Sequence, residues 1–310
     1  MKINLANIKK AINLLNKREC VAVPTETVYG IAGNAYSDTA CKKIFRLKKR
    51  PVDNPLIIHY YNLKKLKSDC DFNDDFLKLY KKFCPGPITF ILNQKKTSKI
   101  SKVATNKKNT LAVRFPKHPV TRNLLKHLRF PIAAPSANIS SRISAVTSSD
   151  VKEDFGKKIK YILEGGKSSL GVESTIIDLR KKPKILRLGG LEVGIIQKIL
   201  KKKISININP STISAPGQST IHYSPGIPVR LNVKKLKKNE AFLLIKKSKI
   251  NKPNYYFLSK RGSLKEAIRN LYTILRKIKK DNYKSIAVDK IPNKGFGKTI
   301  NDRLLRASKF

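Results

Sequence analysis

Hydrophobic and polar positions alternate with two different periods along residues 1–203. Ile8, Ile12 and Leu15 recur at helical spacing, which predicts an amphipathic first helix, and the charges between them argue against the apolar core of a signal peptide. The next apolar run, 21–23, ends at a proline, which is the pattern of a buried strand that leads into a loop. Because strands and helices continue to alternate, we expect an α/β domain.

The other elements of this domain are predicted from the same two periods. The apolar runs that predict strands are PLIIHYY, CPGPITFIL, TLAVRFP, PIAAPSAN, YILEGG and STIIDL. The stretches that predict helices are DTACKKIFRLKKR, DFLKLYKKF and PVTRNLLKHL. No run of about 18 apolar residues occurs, so we expect no membrane-spanning segment.

A change of composition at residue 204 predicts a second domain. Residues 204–228 are rich in Ser, Pro and Gly, which is typical of an interdomain linker. Beyond them, AFLLI, NYYFLS, LKEAIRNLYTILRKIKK, SIAVDKI and GKTINDRLLRASKF predict strand, strand, helix, strand and helix. We therefore expect a first domain over 1–203 and a small α/β domain, Rossmann-like in its alternation, over 229–310.

The charge of the chain favours an anionic partner. The 310 residues include 67 Lys and Arg against 20 Asp and Glu, a formal net charge of +47. Such a charge attracts RNA, ATP and phosphates. The lysines are spread along the whole chain, however, which favours lysine enrichment by drift in an AT-rich genome as the main cause. The four cysteines, Cys20, Cys41, Cys70 and Cys84, lack zinc or disulfide spacing and favour a reducing cytoplasm.

The familiar catalytic motifs are missing from this sequence. It has no His-Glu-x-x-His, Gly-x-Ser-x-Gly or spaced Cys/His cluster. The stretch GFGKT resembles the end of a phosphate-binding loop, but Pro292 stands where such a loop needs glycine, so we interpret it as the cap of the last helix.

Short polar groups that follow apolar runs are the better candidates for a site. Ligands of α/β sheets bind outside the carboxyl ends of strands. Taken singly, each group is equally typical of a helix cap or a turn; together they predict one shared cleft. They are Thr25, Glu26, Thr27, Asn54, Arg114, Ser136, Asn138, Ser140, Ser141, Ser144, Glu173, Ser174, Thr175 and Arg187.

The stretch KKRPVDNPLIIH combines three cations with two prolines. Pro51 and Pro55 restrict the loop that presents Lys48, Lys49 and Arg50. A solvated basic loop does not need that rigidity. The combination predicts a rigid turn that directs cations and the Asn54 amide at an anion.

The order of the motifs resembles a known family. VPTETVYG, KKRPVDNPLIIH, CPGPITFIL, TLAVRFPKHP, APSANISS, GVESTIIDL and ILRLGG follow one another as in the YrdC-like fold. The tail APGQSTIHYSPG…AFLLI…GFGKTINDRLLRAS resembles the second domain of its two-domain members, the L-threonylcarbamoyladenylate synthases. The resemblance implies an enzyme that converts L-threonine, bicarbonate and ATP into threonylcarbamoyl-AMP and pyrophosphate. Partner proteins then transfer the threonylcarbamoyl group to the tRNA adenosine beside the anticodon.

The resemblance also implies roles for particular residues. Lys48 and Arg50 are the expected catalytic cations on the triphosphate, and the expected lid over the site, 204–228, includes His222 and Tyr223. The expected ATP contacts are Arg50, Asn54, Thr110, Ser136, Asn138 and Arg187, and the expected threonine contacts are Thr27, His59, Arg114 and Ser174. Mg²⁺ is expected with ATP, held by phosphates and water rather than by a protein cage.

Two departures and two alternatives stay open at this point. The chain has Ser144-Ala145-Val146 where the family commonly has Ser-Pro-Thr, and Leu188 where it commonly has proline. His59 alone is also consistent with a core histidine, and the linker with an ordinary connection.

The competing functions are an RNA-binding module and carbamoyl transfer of the kind used in hydrogenase maturation. Aromatic residues, at 7%, give the first little base-stacking surface. The second family carries zinc-finger and acylphosphatase-like segments that this sequence lacks. Direct contact between this chain and tRNA stays an open question.

Overall fold

Two β-sheets organise the chain, one in each of its predicted domains. The structure, a computed structural model, describes residues 3–208, 222–247 and 252–309. The predicted architecture is confirmed: a twisted mixed sheet with helices is followed by a smaller parallel α/β unit. None of the described helices has the length and apolar character needed to cross a bilayer.

The larger sheet contains ten strands among the described residues. They are β1 (Val21–Val23), β2 (Gly30–Asn34), β3 (Ile57–His59), β4 (Cys70–Asp71), β5 (Ile88–Gln94), β6 (Thr110–Arg114), β7 (Ile132–Ala133), β8 (Thr175–Asp178), β9 (Lys184–Arg187) and β10 (Ser205–Ile206). Their spatial order is β1-β2-β7-β3-β6-β5-β8-β9-β10, and β4 pairs with β5 beside this path. The pairs β3–β6, β5–β8 and β9–β10 are parallel, while β5–β6 and β8–β9 are antiparallel.

The helices of the first domain begin at polar caps that the sequence supplies. They are α1 (Leu5–Asn16), α2 (Asp38–Lys48), α3 (Leu63–Leu66), α4 (Asp74–Phe83), α5 (Lys102–Thr105), α6 (Pro119–His127), α7 (Ser148–Phe155) and α8 (Val193–Leu200), with a 3-10 turn at Gly156–Lys158. Ser37 caps α2, and Thr147 with Asp150 forms a capping box on α7. α2 buries Ile44 and Phe45 in the main core and delivers its last residues to the basic loop.

The structure corrects one predicted strand and adds several short ones. YILEGG forms only an isolated bridge between Ile162 and Ala22, because two glycines follow and the chain turns away. β2, β4 and β10 were not predicted, since they are short or glycine-rich. Residues 205–206, part of the predicted linker, belong to the first sheet.

The second unit is a parallel sheet covered by two helices. Its strands are β11 (Val229–Arg230), β12 (Glu240–Lys246), β13 (Tyr255–Ser259) and β14 (Ser285–Val288), in the order β11-β14-β12-β13. Ser263 caps α9 (Leu264–Lys280), and α10 (Phe296–Ala307) follows β14. Gly295 is the cap residue of α10, with φ of +49°, which agrees with our interpretation of GFGKT.

The core of the second unit extends into the first. Val28, Ile143, Val146 and Val172 pack in the same buried cluster as α9 and the strands of the small sheet. Val146 is therefore a packing residue between the two units. This shared core fixes α9 and α10 against the strand ends where polar groups gather. The exact domain boundaries stay a prediction.

Candidate active site

One row of residues crosses the larger sheet at a single edge. His59 at the end of β3 pairs with Arg114 at the end of β6, and Arg114 pairs with Thr89. Thr89 pairs with Ile176 of β8, which faces Arg187 at the end of β9. Four polar side chains that are distant in sequence, those of His59, Thr89, Arg114 and Arg187, are thereby aligned by strand register.

A small cavity lies over this row. Its volume is about 30 Å³, room for about one or two water molecules. Its lining consists of Thr25, Val28, Tyr29, Gly30, Arg50, Ile57, His59, Arg114, Ala134, Pro135, Ser136, Glu173, Arg187, His222 and Tyr223. Seven of the predicted site residues are in this lining: Arg50, His59, Arg114, Ser136, Arg187, His222 and Tyr223.

Several polar atoms around the cavity lack partners. Both ring nitrogens of His59, Nε of Arg114, Nδ1 of His222 and the Tyr223 hydroxyl are buried without a hydrogen bond among the described residues. Buried polar groups are normally hydrogen-bonded, so these atoms suit contacts to a bound ligand. Burial and the charge of Arg114 lower the pKa of His59 well below its ordinary value, and burial lowers that of His222 to about 3. Both imidazoles are therefore neutral.

Arg114 is held in place by the loop after β1. Its guanidinium donates to Glu26 Oε1 at 2.8 Å and to Thr27 Oγ1 at 2.7 Å. Burial raises the pKa of Glu26, but the charge and hydrogen bond of Arg114 outweigh it and leave that pKa below its ordinary value. Thr27 thus orients Arg114 from behind, and Glu26 is a partner that the sequence did not single out for a role.

The basic loop presents Arg50 to the cavity. Arg50 Nε donates to the Asn54 carbonyl at 3.0 Å, and its Nη2 donates to Asn54 Oδ1 at 2.5 Å and to the Pro55 carbonyl at 3.0 Å. Burial and the nearby charge of Arg187 lower the pKa of Arg50 to about 10, so it stays a cation at neutral pH. Asn54 therefore orients this guanidinium.

Lys48 is not part of the cavity lining. Its Nζ donates to the carbonyl oxygens of Ser136 and Asn138, both at 2.6 Å, and the residue is 1% exposed. The Ser136 hydroxyl donates to Asn138 Oδ1 at 2.6 Å. Lys48 and Asn138 together fix the turn after β7, and Ser136 is the polar residue of this turn that lines the cavity. Burial and the charge of Arg50 lower the pKa of Lys48 well below its ordinary value.

Ser174 and Thr110 occupy different places from the rest. Arg187 donates from Nε to the Ser174 carbonyl and from Nη2 to its Oγ, both at 3.0 Å, so Ser174 orients the arginine. Thr110 begins β6 opposite Asn93, at the far end of the strand from Arg114 and outside the cavity lining. The predicted threonine contact at Ser174 and nucleotide contact at Thr110 both stay predictions.

Glu173 is the cavity residue that the sequence left without a role. It accepts hydrogen bonds from Ser144 at 2.5 Å, from Tyr272 at 2.9 and 3.1 Å, and from Arg303 at 3.1 Å. Burial raises its pKa, but the charges of Arg303 and Arg187 and the Ser144 hydrogen bond bring it to about 2. Tyr272 and Arg303 come from the second domain, and Arg303 lies in the stretch GFGKTINDRLLRAS, for which the sequence predicted no role in the site.

The predicted lid contributes its last residues to the cavity wall. Tyr223 lies between two side chains of the second domain, with Arg303 4.4 Å from its ring centroid and the Tyr272 ring stacked at 5.9 Å. The His222 ring is 4.0 Å from the Tyr223 ring. Residues 209–221 of the predicted lid lie outside the described residues.

The described residues contain no cluster of three or more His, Cys, Asp or Glu placed to hold a metal ion. The cavity offers cations and neutral imidazoles, with Glu173 saturated by hydrogen bonds. This donor set suits anionic oxygen atoms. Mg²⁺ stays a prediction for the metal that accompanies ATP.

Family models match both halves of the chain. Residues 13–189 match the Sua5/YciO/YrdC model, which is described as telomere recombination, and residues 191–309 match the model of the threonylcarbamoyl-AMP synthase C-terminal domain. The chain belongs to the Sua5/YciO/YrdC family and has the two-domain form. The family resemblance of the sequence motifs is thereby confirmed.

Named relatives cover nearly the whole chain. The threonylcarbamoyl-AMP synthase of Pyrococcus abyssi is 34% identical over 97% of this chain and 94% of its own length. That of Bacillus subtilis is 32% identical over 98% of this chain and 94% of its own length. The crystal structure of P. abyssi Sua5 complexed with L-threonine matches with a TM-score of 0.91 at 33% identity, over 100% of this chain and 96% of that one.

The hydrogenase-maturation alternative receives support for the fold only. Full-length HypF in its phosphate- and nucleotide-bound form matches at 21% identity and a TM-score of 0.53, over 59% of this chain and 29% of that one. At that identity, the likeness shows that the first domain shares a fold with HypF. The second domain is accounted for by the synthase relatives.

Proposed function

We propose that this protein synthesises threonylcarbamoyl-AMP and pyrophosphate from L-threonine, bicarbonate and ATP. The observation that carries the proposal is the set of unpartnered polar atoms on His59, Arg114, His222 and Tyr223, which face one cavity beside Arg50 and Arg187. Its relatives carry the synthase name over nearly the full chain. The enzyme is a nucleotidyltransferase, because it transfers AMP from ATP to an acid.

Threonine binds at the Arg114 end of the cavity. Its carboxylate accepts from Arg114, whose Nε is buried without a partner among the described residues, and a guanidinium binds a carboxylate well. His59 and Ser174 adjoin the same end. Val28, Ile57, Ala134 and Pro135 supply an apolar wall for the methyl group.

The reaction needs alignment and charge neutralisation more than proton transfer. The threonine amine and bicarbonate combine with loss of water to give a carbamate, whose oxygen is already an anion. That oxygen attacks the α-phosphorus of ATP, a P–O bond forms, and the bond to the β-phosphate breaks as pyrophosphate leaves. Arg50 and Arg187 stabilise the triphosphate charge during this displacement.

Lys48 and Asn138 act on the nucleotide through the Ser136 turn. Lys48 binds two carbonyl groups of that turn, which aims Ser136 at the cavity. Mg²⁺ accompanies ATP and is held by phosphates and water, and the chain's cations share the remaining charge.

His222 and Tyr223 close the site over its substrates. A cavity of about 30 Å³ is far smaller than ATP, so the lid must move away for substrates to enter. Closure then excludes water from the threonylcarbamoyl-AMP anhydride. The product passes to partner proteins that modify the tRNA adenosine beside the anticodon.

The direct test measures pyrophosphate release and threonylcarbamoyl-AMP by mass spectrometry. Purified protein in carbon dioxide-depleted buffer receives ATP with threonine alone, bicarbonate alone, or both. We expect release and adenylate formation only with both, because their adduct is the nucleophile. Equal pyrophosphate release without bicarbonate contradicts the carbamate mechanism.

A further inference from the structure

The second domain contacts the wall of the active-site cavity through two side chains. Tyr272 on α9 donates to both carboxylate oxygens of Glu173, and Arg303 on α10 donates to Oε2 at 3.1 Å. Both residues are fully buried, Arg303 at 1% exposure. Glu173 itself lines the cavity.

We propose that Arg303 is a positioning residue for catalysis, which neutralises Glu173 and seats Tyr223 so that the second domain completes the active site. This inference rests on the proposed synthase function. It assigns the second domain a defined part in the reaction.

Arg303 makes an ion pair with its neighbour Asp302 and three further contacts at the cavity wall. It pairs with Glu173, it donates to the Leu188 carbonyl at 2.6 Å, and its guanidinium lies 4.4 Å from the Tyr223 ring centroid. Leu188 directly follows Arg187, which we assign to the nucleotide. One guanidinium thus touches the buried carboxylate, the chain beside a phosphate-binding arginine, and the lid.

The charge of Glu173 explains why a cation must stand behind it. A buried, unneutralised carboxylate would repel the carboxylate, carbamate and triphosphate of the substrates, and it would attract Arg187 away from them. Arg303 removes that charge from the cavity. Ser144 and Tyr272 occupy the remaining acceptor positions of Glu173.

Arg276 provides a matched control for docking of the domains. It lies on α9, is partly buried with 10% of its side chain exposed, and donates to Asp154 at 2.8 Å and to the Ile143 carbonyl at 2.9 Å in the first domain. It lies outside the cavity lining and has no contact with Glu173 among the described residues. Loss of Arg276 weakens domain docking without exposing the active-site carboxylate.

The experiment compares Arg303→Met, Tyr272→Phe and Arg276→Met in the full chain. We measure kcat, KM for ATP and threonine, thermal stability, and the ratio of pyrophosphate released to adenylate recovered. For Arg303→Met we expect kcat to fall on the order of 100-fold and the ratio to rise, because an unseated lid admits water. For Arg276→Met we expect a lower melting temperature, with kcat and the ratio near those of the wild type.

A rescue variant separates charge from packing. Adding Glu173→Gln to Arg303→Met removes the unpaired carboxylate and should recover about tenfold of the lost kcat. Tyr272→Phe keeps the ring against Tyr223 but removes one donor to Glu173, and it should lower kcat by about tenfold. If Arg303→Met does not fold, the kcat of Tyr272→Phe tests the proposal in its place.

Two results overturn the proposal. One is an equal loss of kcat in Arg303→Met and Arg276→Met at matched melting temperature, since that makes Arg303 a docking residue only. The other is wild-type kinetics in a folded Arg303→Met protein or, where Arg303→Met does not fold, wild-type kinetics in Tyr272→Phe. Failure of the synthase function is a different result, because the wild-type protein itself would then form no adenylate.

Discussion

Two buried glutamate–arginine pairs flank the active site, and they differ in what they leave open. Glu26 and Arg114 meet at 2.8 Å within the first domain, while Glu173 and Arg303 meet at 3.1 Å across the two domains. Arg114 keeps a buried Nε without a partner among the described residues. Every contact of Arg303, in contrast, goes to protein groups already in place.

This difference separates a binding pair from a positioning pair. In the first pair, the carboxylate orients an arginine whose unpartnered Nε belongs to the proposed threonine site. In the second, the arginine orients and neutralises a carboxylate whose acceptor positions are already taken by Ser144 and Tyr272. Two similar glutamate–arginine pairs therefore have different roles: one orients an arginine, and the other neutralises a glutamate.

The largest expected effect comes from breaking the binding pair. Arg114→Met leaves Glu26 charged and buried, which should lower the free energy of unfolding by about 3–5 kcal/mol and abolish threonine binding. Adding Glu26→Gln should restore most of the stability but none of the threonine affinity. Urea unfolding and calorimetric titration with threonine measure the two effects separately.

Replacing both partners of the positioning pair is the control for the double variant of the binding pair. Glu173→Gln with Arg303→Met should recover both stability and part of the activity, because no substrate contact is lost there. Recovered threonine affinity in the Glu26→Gln, Arg114→Met variant would erase the distinction between the two pairs.

A smaller effect is expected at Arg50, a buried arginine that forms no ion pair with a carboxylate among the described residues. Within those residues its guanidinium donates to the Asn54 and Pro55 groups, so its charge is available to an anion. Arg50→Lys keeps the charge but loses the planar fork, and kcat should fall by about 10- to 100-fold. Rapid-quench measurement of pyrophosphate release tests this, with Arg50→Ala as the more severe comparison. An unchanged rate in a folded Arg50→Lys protein would show that only charge matters there.

The sequence predicted the binding pair's surroundings better than those of the positioning pair. The motifs around Arg50, His59, Arg114 and Arg187 are short, and the last three residues end strands, so local pattern places those three at one sheet edge. Strand register then aligns them. Lys48 shows the limit of this reasoning, since a lysine in a basic loop gives no indication that it binds two carbonyl groups of another turn.

The role of the second domain was outside the reach of pattern. Arg303 is more than a hundred residues from Glu173 in sequence, and its periodicity shows only a helix position. Its burial depends on how α10 packs on the strand ends of the first domain. Long-range docking of this kind leaves no local signal in a single sequence.

Lowering the pH should reduce stability through the lid residue His222 at a higher pH than through either glutamate–arginine pair. His222 has a folded pKa of about 3 against 6.5 unfolded, so the unfolded state binds a proton that the folded state does not. Stability is therefore lost as pH falls from 6.5 toward 3, by about 2 kcal/mol at pH 5 for this histidine. The carboxylates of both pairs have lowered pKa values and lose stability only below about 4.5.

Urea unfolding of the wild type and of His222→Phe at pH 7 and pH 5 measures this term. The variant should lose about 2 kcal/mol less than the wild type between the two pH values, since a phenyl ring does not titrate. An identical pH dependence in both proteins would mean that His222 is protonated in the folded state.

The smallest effect is expected at an exposed ion pair, which shows what burial adds to the other two. Lys202 donates to Asp75 at 2.7 and 2.9 Å, with the lysine side chain 51% exposed. Such pairs contribute about 0–1 kcal/mol and are screened by salt. In a chain with net charge +47, Lys202→Ala also relieves repulsion between cations, so we expect almost no change in unfolding free energy. Asp75→Asn should cost more than Lys202→Ala, because Asp75 lies in the first turn of α4, where a negative charge is favourable. Urea unfolding at low and high salt tests this order. A larger loss of unfolding free energy from Lys202→Ala than from Asp75→Asn would show that Asp75 stabilises the fold through its ion pair rather than through the helix N-terminus.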